Sequence, residues 1–216
     1  EEKEVVTLLE WTDAVRTLGV LANADTPQDA MTDRDFGAEG IGLCRTEHMF
    51  FEPQSLSLVR KMIIAAHRSA QKPQDRGLKD EYLGALVQLQ QIQVGDFEGI
   101  FRAMDGKPVV IRLLDPPLHE FLPQYEDLLV EVVQLKTTSN GHRDSSLAEK
   151  GELLAAVDEM RETNPMLGHR GCRIGITYPE IYEMQARALF EAAAELTKAG
   201  TTVEPEVMIP LIASGR

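Results

Sequence analysis

The 216-residue chain has few cysteines, no long apolar run and no excess of positive charge. Its two cysteines, Cys44 and Cys172, are far apart and form no CxxC pair, which favours a reducing compartment over a disulfide framework. No apolar run approaches the roughly 20 residues of a membrane span. The net charge of −13 argues against nucleic acid or an anionic membrane as the main partner, because both need a basic surface. We therefore expect a soluble intracellular protein.

Short apolar runs alternate with longer amphipathic segments along the chain. This alternation predicts an α/β fold with parallel strands and right-handed crossovers. The five predicted strands are residues 19–24, 40–47, 109–114, 168–173 and 206–212. The predicted helices are residues 5–18, 26–36, 57–68, 80–104, 124–135, 146–161 and 177–200, the last opened by a capping box at Thr177 to Glu180. Residues 137–144 are predicted to form a polar loop.

Two predicted strands carry an arginine to their carboxyl ends, where α/β enzymes place their chemistry. Alternation with period two puts Ile41, Leu43 and Arg45 on one face of the second strand, so that Arg45 continues an apolar row to the rim. Arg112 lies near the end of the third strand, which Asp115 and two prolines close. Guanidinium groups that converge from separate strands suit a phosphate or carboxylate group, which the planar fork can bind with two hydrogen bonds.

Ion pairing offers a structural alternative for both arginines. Arg45 could pair with Glu47 or Glu39, and Arg112 could pair with Asp115. The pair between Arg112 and Asp115 would also hold the guanidinium towards a substrate. Substrate binding and scaffolding therefore both remain open from these residues alone.

The glycine-rich residues 164–173 contain two further arginines, Arg170 and Arg173. Arginine at such a corner often binds backbone carbonyl groups, so Arg170 is a candidate for substrate binding and equally for a structural role. Asn23 and Asp25 follow the first strand and could contact a substrate, although helix capping explains them equally well. The histidines near these motifs lack the spacing of metal ligands, and we predict no metal-binding residue in the chain.

Three segments resemble, in order, the carboxy-terminal domain of phosphoenolpyruvate-utilising enzymes, which binds phosphoenolpyruvate and pyruvate. They are GAEGIGLCRTEHMFF at 37–51, VIRLLDPPLHEFLP at 110–123 and NPMLGHRGCR at 164–173. The sequences of these segments are closer to the dikinase branch of that family than to the enzyme I or phosphoenolpyruvate synthase branches. The resemblance covers most of residues 20–211. It implies a partial TIM (β/α)8 barrel, of which the chain would hold about the first five βα units.

The resemblance also implies a function. Arg45, Arg112 and Arg170 would bind substrate during reversible phosphoryl transfer between phosphoenolpyruvate and a histidine on a swivelling domain of the same polypeptide. The overall dikinase reaction converts ATP, pyruvate and phosphate into AMP, phosphoenolpyruvate and pyrophosphate. The implied cofactor is Mg²⁺, and its ligands, the catalytic residues and the ATP-binding domain are expected outside this chain. The implied whole enzyme is a homodimer of the cytoplasm or of an organelle matrix such as that of a plastid or glycosome.

The domain organisation follows from the same resemblance. Residues 1–18 are expected to form a linker and leading helix after the phosphohistidine domain, and residues 19–216 the amino-terminal part of a truncated barrel. The chain lacks an initiator Met and stops soon after a predicted strand, so we expect a fragment that is inactive alone. A non-catalytic fragment that binds anions or another subunit is the alternative.

Overall fold

The computed structural model describes residues 2–138, 145–162, 164 and 166–214. The strands are β1 (Ala22–Asn23), β2 (Ile41–Arg45), β3 (Pro108–Arg112) and β4 (Glu204–Met208). The helices are α1 (Glu2–Val15), α2 (Pro27–Asp35), α3 (Thr46–Phe50), α4 (Pro53–Gln71), α5 (Arg76–Ala103), α6 (Tyr125–Thr138), α7 (Ser145–Met160), α8 (Cys172–Thr177) and α9 (Pro179–Lys198), with a short 3-10 helix at Leu118–Phe121.

The four described strands form one parallel sheet in the order β1-β2-β3-β4. The predicted α/β class with parallel strands is therefore confirmed. Strands that follow one another both along the chain and across the sheet are the pattern of a (β/α)8 barrel. The arrangement is consistent with part of such a barrel, and the described strands do not close one.

The predicted fourth strand at residues 168–173 is wrong. Gly171 has a φ of 57°, which is incompatible with a strand, and it precedes the short helix α8. The amide of Gly171 donates to the carbonyl of Asp115, and that of Cys172 donates to the carbonyl of Pro210. The segment therefore crosses the ends of two strands instead of pairing alongside them. The sheet of the described residues has one strand fewer than expected.

The predicted helices are present, and their ends carry one further correction. Thr26 caps α2, because its hydroxyl accepts from the amide of Asp29 at 3.1 Å. The capping box at the start of α9 is wrong: Tyr178 is the N-cap residue, and the hydroxyl of Thr177 donates to the carbonyl of Arg173 instead. Of the predicted loop at 137–144, the first two residues belong to α6 and the rest lies outside the described residues.

Strand β2 does not keep the predicted alternation. Ile41 pairs with Val109 and Cys44 with Ile111, so three steps along β2 match two steps along β3. This bulge turns both Ile41 and Cys44 into the core, where each is fully buried. The predicted apolar row that ends in Arg45 is therefore wrong, although Arg45 still lies at the end of the strand.

The core consists of two hydrophobic clusters that meet along α5 and α9. One cluster lies under the sheet and includes Ile41, Phe97 and Val109, and the other joins α4, α5, α7, α9 and the segment after β3. Helix α1 is exposed, and Arg16 at its end pairs with Glu39 at 2.6 Å. Within the described part of the chain, no helix has the length and apolarity to cross a membrane.

Candidate functional site

The three predicted arginines lie at the same end of the sheet. Arg45 and Arg112 are register partners, because the parallel strands β2 and β3 pair them at their carboxyl ends. Arg170 reaches the same place from the loop before α8, where it shares the carboxylate of Asp115 with Arg112. Two strands and one loop thus bring together side chains that are up to 125 positions apart in the sequence. We call Arg45, Arg112, Arg170 and the carboxylates that bind them the arginine cluster.

Arg45 is held by Asp25, which follows β1. The Nε and Nη2 atoms of Arg45 lie 3.1 and 2.8 Å from Oδ2 of Asp25, and its backbone amide donates to Oδ1 at 2.6 Å. These hydrogen bonds raise the pKa of Arg45. The predicted partners of Arg45 are wrong, since Glu39 pairs with Arg16 and Glu47 binds Arg112.

Asn23 and Asp25, at the end of the first strand, differ in their roles. Asp25 is buried and does not cap α2, because Thr26 does. Its Oδ2 atom lies 3.3 Å from Nδ1 of His48, so one carboxylate contacts both an arginine and a histidine. Asn23 is exposed in β1. Of these two candidates, the structure therefore brings Asp25 into the cluster.

Arg112 binds two buried carboxylates. Its Nη2 atom donates to Oε1 of Glu47, and its Nη1 atom lies 3.0 Å from Oδ2 of Asp115, as the sequence suggested. The Nε atom of Arg112 and the Oε2 atom of Glu47 are buried and have no hydrogen-bond partner among the described residues. The cluster therefore retains one fully buried donor and one fully buried acceptor that are unused.

Arg170 also binds a carboxylate and not the carbonyl groups that its glycine-rich surroundings suggested. Its Nη2 atom lies 2.8 Å from Oδ2 of Asp115. The neighbouring Arg173 takes the structural role, because its Nη1 atom donates to the carbonyls of Leu167 and Gly168 at 3.2 and 2.6 Å. The loop thus uses one arginine to fix its own backbone and presents the other to the cluster.

The formal charges of the cluster balance. Three guanidinium groups meet the carboxylates of Asp25, Glu47 and Asp115, whose side chains are at most 9% exposed. Buried carboxylates hold the guanidinium planes in fixed orientations, which prepares donors for an oxyanion. Arg45 remains 37% exposed, and Arg112 and Arg170 about a fifth. The arrangement can therefore bind and orient an anion.

The same carboxylates are poorly suited to a metal ion. Each is already bound by a guanidinium group, and one unpaired oxygen on Glu47 falls short of the oxygen ligands that Mg²⁺ requires. In the part of the chain that the structure describes, no group of three or more His, Cys, Asp or Glu side chains could hold a metal. The described residues therefore do not form a magnesium site.

Sequence reasoning missed how the site is held together. The carboxylate partner of Arg45 lies 20 residues upstream, and the acid nearest to Arg45 serves Arg112 instead. It also missed Gln185, a buried residue of α9 that bonds to the segments following β2 and β3. A usable signal for Asp25 was its position directly after the predicted strand at 19–24, because the next predicted strand carries Arg45. No local pattern indicated Gln185.

The chain is similar to a known family of proteins. Residues 1–216 match the family model of the PEP-binding domain of PEP-utilising enzymes. The chain is 50% identical over 209 residues to pyruvate, phosphate dikinase 1, chloroplastic, of Arabidopsis thaliana. The aligned region covers 97% of this chain and 20% of that protein. It is 51% identical over 207 residues to pyruvate, phosphate dikinase 2 of Zea mays, which covers 95% of this chain and 21% of that protein. The chain thus spans about a fifth of the length of these curated relatives.

Proposed function

Since the chain belongs to the family of PEP-utilising enzymes and matches their PEP-binding domain, we propose that Arg45, Arg112 and Arg170 bind phosphoenolpyruvate. The observation that carries this proposal is the convergence of the three arginines at one end of a parallel sheet. Phosphoenolpyruvate carries a phosphate and a carboxylate, and both match the planar donors of arginine. Because the overall charge of −13 does not attract an anionic substrate, its binding depends on the local guanidinium donors of this cluster.

The proposed reaction is reversible phosphoryl transfer between phosphoenolpyruvate and a histidine on another domain of the same polypeptide. Charge spreads over the equatorial oxygens of the phosphoryl group in a loose transition state. Arg45 and Arg112 orient these oxygens, and the buried carboxylates behind them keep the guanidinium groups from moving. This chain supplies binding and orientation, and we assign it no acid, base or nucleophile.

The names of the relatives favour the dikinase branch. The overall reaction we propose for the complete protein is ATP, pyruvate and phosphate giving AMP, phosphoenolpyruvate and pyrophosphate. We propose that its Mg²⁺ is bound by residues outside this chain, as the resemblance to the family implies. We propose a homodimer for the complete protein. We propose a plastid as its location, because the Arabidopsis relative is named chloroplastic. The chain alone is expected to be inactive.

The test is Arg112→Lys in the complete gene product that contains this chain. Lysine keeps the charge but cannot bind Glu47 and Asp115 together in one plane. Loss of one oriented donor costs roughly 10²- to 10³-fold in rate, so pyruvate formation from phosphoenolpyruvate should fall by about that factor. ATP-dependent phosphorylation of the remote histidine should continue unchanged.

The matched control is Arg187→Lys on α9, where the arginine is 66% exposed and pairs with Glu183 four residues away. This control should leave both half-reactions at the wild-type rate. Equal loss of both half-reactions in Arg112→Lys would indicate a folding defect. A normal rate of pyruvate formation would show that Arg112 does not bind the substrate.

A further inference from the structure

Helix α9 contributes one polar side chain to the core below the arginine cluster. Gln185 is fully buried on the inner face of α9, in a row of buried residues that includes Ile181 and Ala188. Ile181 belongs to one hydrophobic cluster and Ala188 to the other, so Gln185 lies where the two clusters meet. A buried amide at such a place destabilises the fold unless its hydrogen bonds are made.

Gln185 makes hydrogen bonds to two separate strand ends. Its Oε1 atom accepts from the backbone amide of Leu114 at 2.9 Å, and its Nε2 atom donates to the hydroxyl of Thr46 at 2.9 Å. One turn earlier on α9, the hydroxyl of Tyr182 donates to the carbonyl of Leu114 at 2.8 Å. Both backbone polar groups of Leu114 are therefore bound by side chains of the same helix.

These two attachment points precede the carboxylates that hold Arg112. Thr46 is followed by Glu47, and Leu114 is followed by Asp115. Strand pairing does not reach this far, because β2 and β3 pair up to Arg45 and Arg112. One amide side chain therefore joins the two segments that carry Glu47 and Asp115, just beyond the last residues of the paired strands.

We propose that Gln185 is a positioning residue of the arginine cluster. It sets the spacing of Glu47 and Asp115 and thereby the orientation of the Arg112 guanidinium. This inference rests on the proposed function, because it assigns Gln185 an effect on phosphoenolpyruvate. A displacement of about 1 Å at a binding group can cost on the order of 100-fold in rate. Gln185 acts through Arg112 and does not itself touch the substrate.

The test uses Gln185→Met in the complete gene product, since methionine keeps a similar volume without either hydrogen bond. The matched control is Gln93→Met on α5, a second buried glutamine whose amide makes one hydrogen bond among the described residues, to the sulfur of Met49 at 3.9 Å. We expect kcat/KM for phosphoenolpyruvate to fall about 10- to 100-fold in Gln185→Met. ATP-dependent phosphorylation of the remote histidine should stay at the wild-type rate, and Gln93→Met should leave both rates unchanged.

A second pair of variants carries the test if Gln185→Met does not fold. Thr46→Val removes the hydroxyl and keeps the shape, whereas Thr46→Ser keeps the hydroxyl. We expect Thr46→Val to lower kcat/KM for phosphoenolpyruvate about 10-fold and Thr46→Ser to restore it, as a loss of one buried hydrogen bond predicts. Thr46→Val combined with Gln185→Met should be no slower than Gln185→Met alone.

The outcomes separate the two claims. Wild-type protein that does not convert phosphoenolpyruvate overturns the proposed function and this inference together. Active wild-type protein with equal rates in folded Gln185→Met and Gln93→Met overturns the inference and leaves the proposed function standing. The inference also fails if Thr46→Val is as active as Thr46→Ser.

Discussion

Replacement of Asp115 by asparagine should destabilise the fold through the arginine cluster. The Asp115 side chain is 6% exposed, and one of its oxygens lies 3.0 Å from Arg112 and 2.8 Å from Arg170. Asparagine offers one acceptor oxygen, and its NH₂ group would point donors at a guanidinium. Removal of one partner from a buried ion pair costs about 3–5 kcal/mol. Because both arginines remain about a fifth exposed, we expect a loss near the lower end, about 3 kcal/mol.

Urea unfolding followed by far-UV circular dichroism measures this loss. Tryptophan fluorescence is a poor choice, because Trp11 is 67% exposed on the peripheral helix α1. With an m-value of about 2–3 kcal/mol/M, a loss of about 3 kcal/mol lowers the midpoint by roughly 1–1.5 M. The m-value itself should not change.

Asp13→Asn is the control, since Asp13 pairs with Arg16 at the surface and is 62% exposed. It should cost less than about 1 kcal/mol. Asp115→Asn combined with Arg170→Met should cost less than the sum of the two single changes, because the two side chains share one interaction. A midpoint for Asp115→Asn equal to that of Asp13→Asn would refute the idea that Asp115 holds the cluster together.

Three further predictions concern pH, backbone and thiols. Burial raises the pKa of Asp96 from 3.8 to about 6, so between these pH values the native state keeps a proton that the unfolded state releases. The free energy of unfolding therefore falls as the pH rises through this range. The urea midpoint should fall less over the same range in Asp96→Asn than in the wild-type protein. Gly171→Ala should lower the free energy of unfolding by about 2–3 kcal/mol, because φ is 57° and a new Cβ would lie 2.9 Å from a side-chain carbon of Leu211. In the control Gly200→Ala, φ is 94° but the Cβ would enter open space, so the loss should be about 1 kcal/mol. In native protein a disulfide reagent should label Cys172 and spare Cys44, because Cys44 is fully buried and burial raises the pKa of its thiol. Equal labelling rates for the two thiols would contradict this prediction.

Periodicity and strand ends predicted the parts of the fold that local chemistry determines. Helices α4, α5 and α9 have an apolar stripe along one face, and each of the four described strands lies within or overlaps a predicted strand. The runs before Arg45 and Arg112 placed both arginines at the rim of the sheet. The segment at 168–173 failed because the positive φ of a glycine decides its path, and the sequence does not reveal which glycine takes that conformation.

The partners inside the cluster could not be predicted in the same way. Arg45 binds Asp25 because β1 and β2 are neighbours whose ends lie together. Glu47 is nearer to Arg45 in sequence, but it enters α3 and binds Arg112 on the next strand. The choice among several acids therefore depends on sheet order and on the start of a short helix. Gln185 was missed for the same reason, since its two contacts are 71 and 139 residues away.

Calorimetric titration of the complete gene product with phosphoenolpyruvate, in the presence of Mg²⁺, tests the central claim most directly. The claim is that the arginine cluster binds this substrate. Wild-type protein should bind phosphoenolpyruvate, and Arg112→Lys should weaken the binding by at least about 10-fold. The reason is that a guanidinium group can donate two parallel hydrogen bonds to the substrate, which a lysine ammonium group cannot. Equal affinity of the wild-type protein and Arg112→Lys would contradict the account.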